Sequence, residues 1–161
     1  MFQLWKVVKG LPKVKPLYNK DEKYVADEGK TLQAAACSKY MNIVNACGMC
    51  LFGVFLGIKR IPTFDWINAA TGWDLSPNDY MDIGERIQTI KQAFNVKHGI
   101  EPRDFKLSDR ALGVPPLTEG ANKGRSVAID KLRRDYWQHF GWDQETGKPT
   151  EAALKRLGIQ L

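Results

Sequence analysis

Between Ser76-Pro77 and Gly99 the apolar residues Tyr80, Ile83, Ile87, Ile90 and Phe94 recur in steps of three, four, three and four. That is the period of one helix face and not the two-residue alternation of a strand. Ser76 suits an N-cap, Pro77 the first helical position, and Asp79 the positive end of the helix dipole. Gly99 supplies the stop. Asp82, Glu85, Arg86, Lys91 and Lys97 fall on the opposite side, with Asp82 and Arg86 spaced as an i,i+4 pair. The pattern predicts a helix over 76–99 whose Tyr80-to-Phe94 face turns to the core.

The same punctuation recurs along the chain. Thr63 is set to cap a short amphipathic helix ended by Gly72, and Ser126 to start one that runs to Gly141. Thr150 is set to cap a last helix, 151–157, closed by Gly158. Upstream, Leu32, Ala35, Ala36, Tyr40, Ile43 and Val44 give one side of a helix over 30–44. Residues 101–125 carry Pro102, Pro115, Pro116, Gly113, Gly120 and Gly124 without a sustained period, the mark of an ordered, irregular loop. No alternating strand pattern with a hairpin turn occurs. The fold class is therefore all-α, with an irregular segment over 1–28, interrupted by Pro12 and Pro16, and a multihelical domain over 29–161.

Composition narrows the function classes. A chain of 161 residues suits one domain with its own core, and 43% hydrophobic with 26% charged residues excludes intrinsic disorder. Three cysteines are too few, and odd in number, for a secreted disulfide scaffold. The first residues lack the apolar stretch and cleavage site of a signal peptide. The longest apolar run, 43–58, is shorter than a membrane span and is broken by Asn45 and three glycines. A soluble, cytoplasmic chain is the expectation. The net charge of +6 includes eight lysines in the first 39 residues, against four acids. No aromatic-interleaved basic motif or zinc finger accompanies them, so a solvated surface is expected and no nucleic-acid partner.

Chemistry concentrates in Asn45-Ala46-Cys47-Gly48-Met49-Cys50-Leu51. Cys47 and Cys50 form a C-x-x-C. Alone, it is compatible with half a zinc site, a redox pair, or two buried thiols in an apolar turn. Zinc would need further ligands at paired spacing, and only Cys37, His98 and His139 remain. A thioredoxin-like pair would need a strand before the helix. His98 and His139 read as surface or core histidines. Asp65, Trp66 and Asn68 are accounted for by the amphipathic helix that holds them. Gly84-Glu85-Arg86 reads as a helix–helix contact with Arg86 paired locally, and Tyr136 and Trp142 as packing for the C-terminal helices.

Asn45-Ala46-Cys47-Gly48-Met49-Cys50 resembles the D-x-x-G-L-C motif of the tungsten-containing aldehyde ferredoxin oxidoreductases. Further blocks resemble the same family in the same order: Asn68-Ala69-Ala70-Thr71-Gly72-Trp73-Asp74, Ile83-Gly84-Glu85-Arg86-Ile87, Phe94-Asn95 with Gly99, Asp109-Arg110, Glu119-Gly120 with Lys123-Gly124, Tyr136-Trp137, Gly141-Trp142-Asp143 and Leu157-Gly158-Ile159. Their collinear order, from about residue 17 to the end, is more specific than any one block. The resemblance implies the C-terminal helical part of a longer enzyme that oxidises an aldehyde to a carboxylic acid. In that family a tungsten (or molybdenum) bis-pterin and a 4Fe-4S cluster pass electrons to a ferredoxin-like acceptor. By the same resemblance Cys50 is the fourth cluster ligand, the other three lying in an upstream C-x-x-C-x-x-x-C segment. Asn45, Met49 and Leu51 are the pterin-contacting residues; Cys47 is an addition to the motif and reads as a buried spectator. Asn45 stands where the motif has an acid, so a neutral amide replaces a charge-assisted acceptor, and Met49 stands for the motif's leucine. The partners implied are the N-terminal domains of the same enzyme, the electron acceptor and the aldehyde. The catalytic residues are expected upstream, and this part alone is expected to be inactive. Two other readings are a stand-alone helical module binding through its basic N-terminal residues, and a structural zinc domain using Cys37, Cys47 and Cys50.

Overall fold

The computed structural model describes residues 25–50, 52 and 61–160. These form six α-helices: α1 (Glu28–Ala46), α2 (Thr63–Thr71), α3 (Pro77–Lys97), α4 (Asp109–Leu112), α5 (Ile129–Gln138) and α6 (Glu151–Arg156), with a 3-10 turn over Pro102–Asp104. Isolated β-bridges join Leu117 with Lys123 and Trp142 with Pro149, and no strand forms among the described residues. The all-α expectation holds.

α1 is the central element. Asp27 caps it by accepting the Lys30 amide at 2.8 Å. One side of α1 supplies Ala36, Tyr40 and Val44 to a core completed by Ile61, Phe64, Tyr80 and Met81. In that core Phe64 stacks on Tyr80 at 5.2 Å between centroids and meets Tyr40 edge-on. Another side supplies Ala35 to a second core of Trp137, Phe140 and Trp142, with Tyr136 packed against it. Tyr136 and Trp142 thus pack as expected. The Trp142 indole N–H donates to Thr89 Oγ1 at 3.3 Å and fastens this second core to α3.

α3 carries the full capping box. The Ser76 hydroxyl accepts the Asp79 amide, and the Asp79 carboxylate accepts the Ser76 amide at 2.8 Å. Its orientation differs from the expectation. Its buried side includes Met81, Gly84, Glu85, Thr89 and Ala93, with Gly84 and Glu85 against Lys39 of α1 and Thr89 against Trp142. Of the regular apolar stripe only Tyr80 is buried, while Ile90 and Phe94 are 42% and 58% exposed. Small residues let the two helix backbones meet: a Cβ at Gly84 would overlap the Lys39 carbonyl. Close approach, rather than side-chain apolarity, decided which face α3 turned inward. Gly84 is the helix–helix contact expected of it, but Arg86 donates to the Gly158 carbonyl at 3.2 Å, tying α3 to the C-terminal turn.

Two helix starts also move. Thr63 is not the cap of α2. Pro62 is, and Thr63 is wholly buried, its hydroxyl 2.8 Å from that of Tyr40. α5 begins at Ile129 rather than Ser126, because the preceding chain is held elsewhere. The Val127 amide bonds the Leu112 carbonyl at 2.9 Å, and Arg125 lies against Gly113. No helix among the described residues is long and apolar enough to cross a membrane.

Candidate functional site

α1 ends in a tight reversal. Cys47 is its C-cap, and Gly48 follows at φ 65°, in the left-handed region that glycine enters without a Cβ clash. The Gly48 amide bonds the Asn45 carbonyl at 3.1 Å and the Met49 amide bonds the Val44 carbonyl at 3.0 Å. This paired pattern satisfies the last carbonyls of the helix and fixes where Met49 and Cys50 emerge.

The reversal borders a cavity of about 790 Å³. Cys47, Met49 and Cys50 form its α1 wall with Ile43 and Ala46. α2 contributes Thr63, Trp66, Ile67 and Ala70, and α3 contributes Tyr80 and Ile83. Trp73, in the α2–α3 connection, is half-exposed at its edge, as is Trp66. No described residue in this lining carries a formal charge, so the cavity offers apolar surface and sulfur rather than an acid–base pair.

A hydroxyl and amide lattice stiffens the cavity floor. The Tyr80 hydroxyl donates to Asn68 Oδ1 at 2.6 Å. The Asn68 amide group also donates to the Leu75 carbonyl at 2.9 Å and accepts the Leu75 amide at 3.2 Å. Asn68 is thereby committed to structure, as expected, whereas Trp66 lines the cavity. Burial pushes the Tyr40 phenol up against the lowering effect of the Thr63 hydrogen bond, and the nearby Cys47 sulfur adds to the rise. Burial and Cys47 act in the same direction on Tyr80. Cys47 therefore sits within electrostatic reach of both rings.

The thiols do not form the buried pair that the spacing allowed as one alternative. Cys47 and Cys50 are both exposed, while Cys37, ten residues back on α1, is buried, its thiol pushed up to about 11 by burial. Cys47 is a cavity-edge thiol and no buried spectator; its partial burial against apolar neighbours pushes it up as well. The three cysteines do not converge. Among the described residues no group of three or more His, Cys, Asp or Glu is placed to hold a metal ion, which removes the structural zinc reading. Met49 and Cys50 share the cavity, whereas Asn45 is exposed outside its lining. Leu51 lies outside the described residues, as do the lysines before residue 25. The His98 ring lies tilted against Phe94 at 4.3 Å between centroids, and His139 lies 3.2 Å from the Thr31 hydroxyl, both outside the cavity lining. The α2 and α3 aromatics of the cavity were not legible as site residues; the one available signal was the pair of tryptophans, Trp66 and Trp73, flanking a helix end in a chain with five.

Fold and site together define an all-α unit that presents an open, apolar, sulfur-edged cavity and holds no acid–base machinery there. Residues 4–159 match the family model described as aldehyde ferredoxin oxidoreductase, domains 2 & 3, and the chain belongs to that family. It is 34% identical over 143 residues to the tungsten-containing aldehyde ferredoxin oxidoreductase of Pyrococcus abyssi, 89% of this chain and 23% of that protein. It is 39% identical over 118 residues to the enzyme of the same name from Pyrococcus furiosus, 73% of this chain and 19% of that protein. The Thermococcus kodakarensis enzyme is 36% identical over 143 residues, 88% of this chain and 23% of that protein. The chain thus spans about a quarter or less of the length of these relatives.

Proposed function

We propose that this chain is the C-terminal helical part, with residues 29–161 as its domain, of an enzyme that oxidises aldehydes to carboxylic acids. The observation that carries the reading is an exposed Cys50 thiol, delivered by a glycine reversal to the edge of an apolar cavity. The donor set fits a shared cluster. Cys50, with no group of three or more ligand residues around it among the described residues, supplies one corner, and the remaining thiolates come from outside these residues.

In that reading Cys50 is the iron ligand, and Asn45, Met49 and Leu51 face the pterin. When bound, the tungstopterin supplies the two-electron oxidation of the aldehyde and the 4Fe-4S cluster relays the electrons to a ferredoxin-like acceptor. The chain's own residues hold and shield. Met49 packs against the Tyr40–Tyr80 core and anchors the reversal, so that Cys50 is presented at a fixed point. Asn45, exposed one turn earlier, offers an uncharged amide. Trp66, Trp73 and Ile83 exclude water from the sulfur-bearing edge once it is covered. The exposed apolar faces at Trp66, Trp73, Ile90 and Phe94 suit burial by the remaining domains of the enzyme. Alone, the chain is inactive; the assembled enzyme works in the cytoplasm.

The test is metal and sulfide content of the full-length enzyme. Cys50→Ser lowers both by the equivalent of the cluster, whereas Cys47→Ser and Cys37→Ala leave them at the wild-type level. Equal occupancy in all three variants overturns the ligand assignment.

A further inference from the structure

Cys47 has no part in that reading, yet it shares a cavity edge and an exposed surface with Cys50. We propose that Cys47 and Cys50 are a thiol–disulfide pair, and that closing it withholds Cys50 from metal. The second half rests on the assignment of Cys50 as a ligand; the first stands on geometry alone.

The two thiols are three residues apart across the Gly48 reversal, whose backbone is already fixed by the Gly48 and Met49 amide bonds. A ring spanning four residues carries little closure entropy, and less where the turn is formed in advance. Met49 between them packs against the Tyr40–Tyr80 core, and both sulfurs line the same cavity edge. Cys37 is buried and offers no competing partner.

The oxidant is a small-molecule disulfide such as glutathione disulfide. One cysteine thiolate attacks it and forms a mixed disulfide, releasing one glutathione thiolate, which takes up the proton lost by the cysteine. The second cysteine thiolate then attacks the protein sulfur of that adduct. The Cys47–Cys50 bond forms, the second glutathione thiolate leaves and takes the second proton, and two electrons have passed from the protein to the oxidant.

The 161-residue chain, equilibrated in glutathione buffers from fully reduced to fully oxidised, acid-quenched and alkylated, gives the first readout by peptide mass. The expected oxidised product has lost two hydrogens within one peptide holding Cys47 and Cys50 and carries no glutathione. Cys47→Ala instead retains a glutathione adduct on Cys50. Stable glutathione adducts on both wild-type thiols, or two free thiols in the oxidised buffer, overturn the pair. The second readout is iron uptake by cluster-free full-length enzyme. The oxidised enzyme takes up iron only after reduction, and Cys47→Ala does so without it once its adduct is removed. A disulfide that forms without blocking iron uptake refutes the withholding step. Failure of the pair while Cys50→Ser still loses iron refutes this inference and leaves the ligand assignment standing.

Discussion

Glu85, 3% exposed in the middle of α3, holds the Lys39 ammonium of α1 at 2.5 Å. The Arg156 guanidinium of α6 reaches the other oxygen of the same carboxylate. One buried acid therefore joins the first, third and last helices, beside the point where Gly84 brings the α1 and α3 backbones together. The cavity lining begins within a turn of this junction, at Ile43 of α1 and Ile83 of α3, so the geometry of its cysteine-bearing wall depends on it.

Removing the carboxylate leaves two cations facing a dry crossing. Glu85→Ala is expected to destabilise the chain by about 3 kcal/mol, the lower end for breaking a buried pair, because Arg156 is half-exposed and can turn to water. Arg156→Ala costs less than about 1 kcal/mol for the same reason. Urea unfolding midpoints at a common slope measure both. Equal losses in the two variants would show that the carboxylate is not the centre of the junction.

Gly84→Ala sets two effects against each other. Alanine is the better helix former by about 1 kcal/mol. Its methyl, however, would overlap the Lys39 backbone, which has no flexible end to move aside. Overpacking of that kind costs about 1–3 kcal/mol, and the helices must also separate, so net destabilisation is expected. Denaturant unfolding gives the sign directly. A variant as stable as the parent would show that α1 and α3 can part freely.

What the sequence made legible was local. Ser76, Pro77 and Asp79 specify the start of α3 through bonds spanning three residues, and Thr150 does the same for α6 by accepting the Ala153 amide at 3.2 Å. An apolar turn at the C-x-x-C was among the readings its spacing allowed, and Gly48 makes that turn at φ 65°. The facing of α3 was not legible. Ile83, Ile87, Ile90 and Phe94 make the stronger apolar signal, but a helix crossing is won by the face that permits the closest approach, here at Gly84 against Lys39. Such a face carries little hydropathy and is recognised only against its partner. Thr63 misled for a related reason: its hydroxyl suits a cap, and only the tertiary position of Tyr40 showed where that hydroxyl bonds. Cys47 was read as buried because free cysteines usually are, and the helix C-terminus put it outside.

His139 gives the fold a pH dependence whose direction is fixed by burial. At the end of α5 it lies against α1, with its Nε2 3.2 Å from the Thr31 hydroxyl. Burial lowers its pKa below the ordinary 6.5, and Lys39 acts in the same direction; Glu28 and Asp135 pull it up without reversing the shift. The folded chain thus binds this proton more weakly than the unfolded one. Stability from the neutral ring is fully present above the unfolded value, and it is lost progressively as pH falls through 6.5 towards the folded value. His139→Gln keeps a group able to bond Thr31 but does not titrate. Between about pH 7.5 and about pH 5 the parent should therefore lose more stability than His139→Gln, and the difference between the two curves removes the carboxylates common to both. Unfolding free energies from urea titrations at each pH measure it. Parallel curves would mean that His139 titrates alike in both states and that its contact with α1 is open to water.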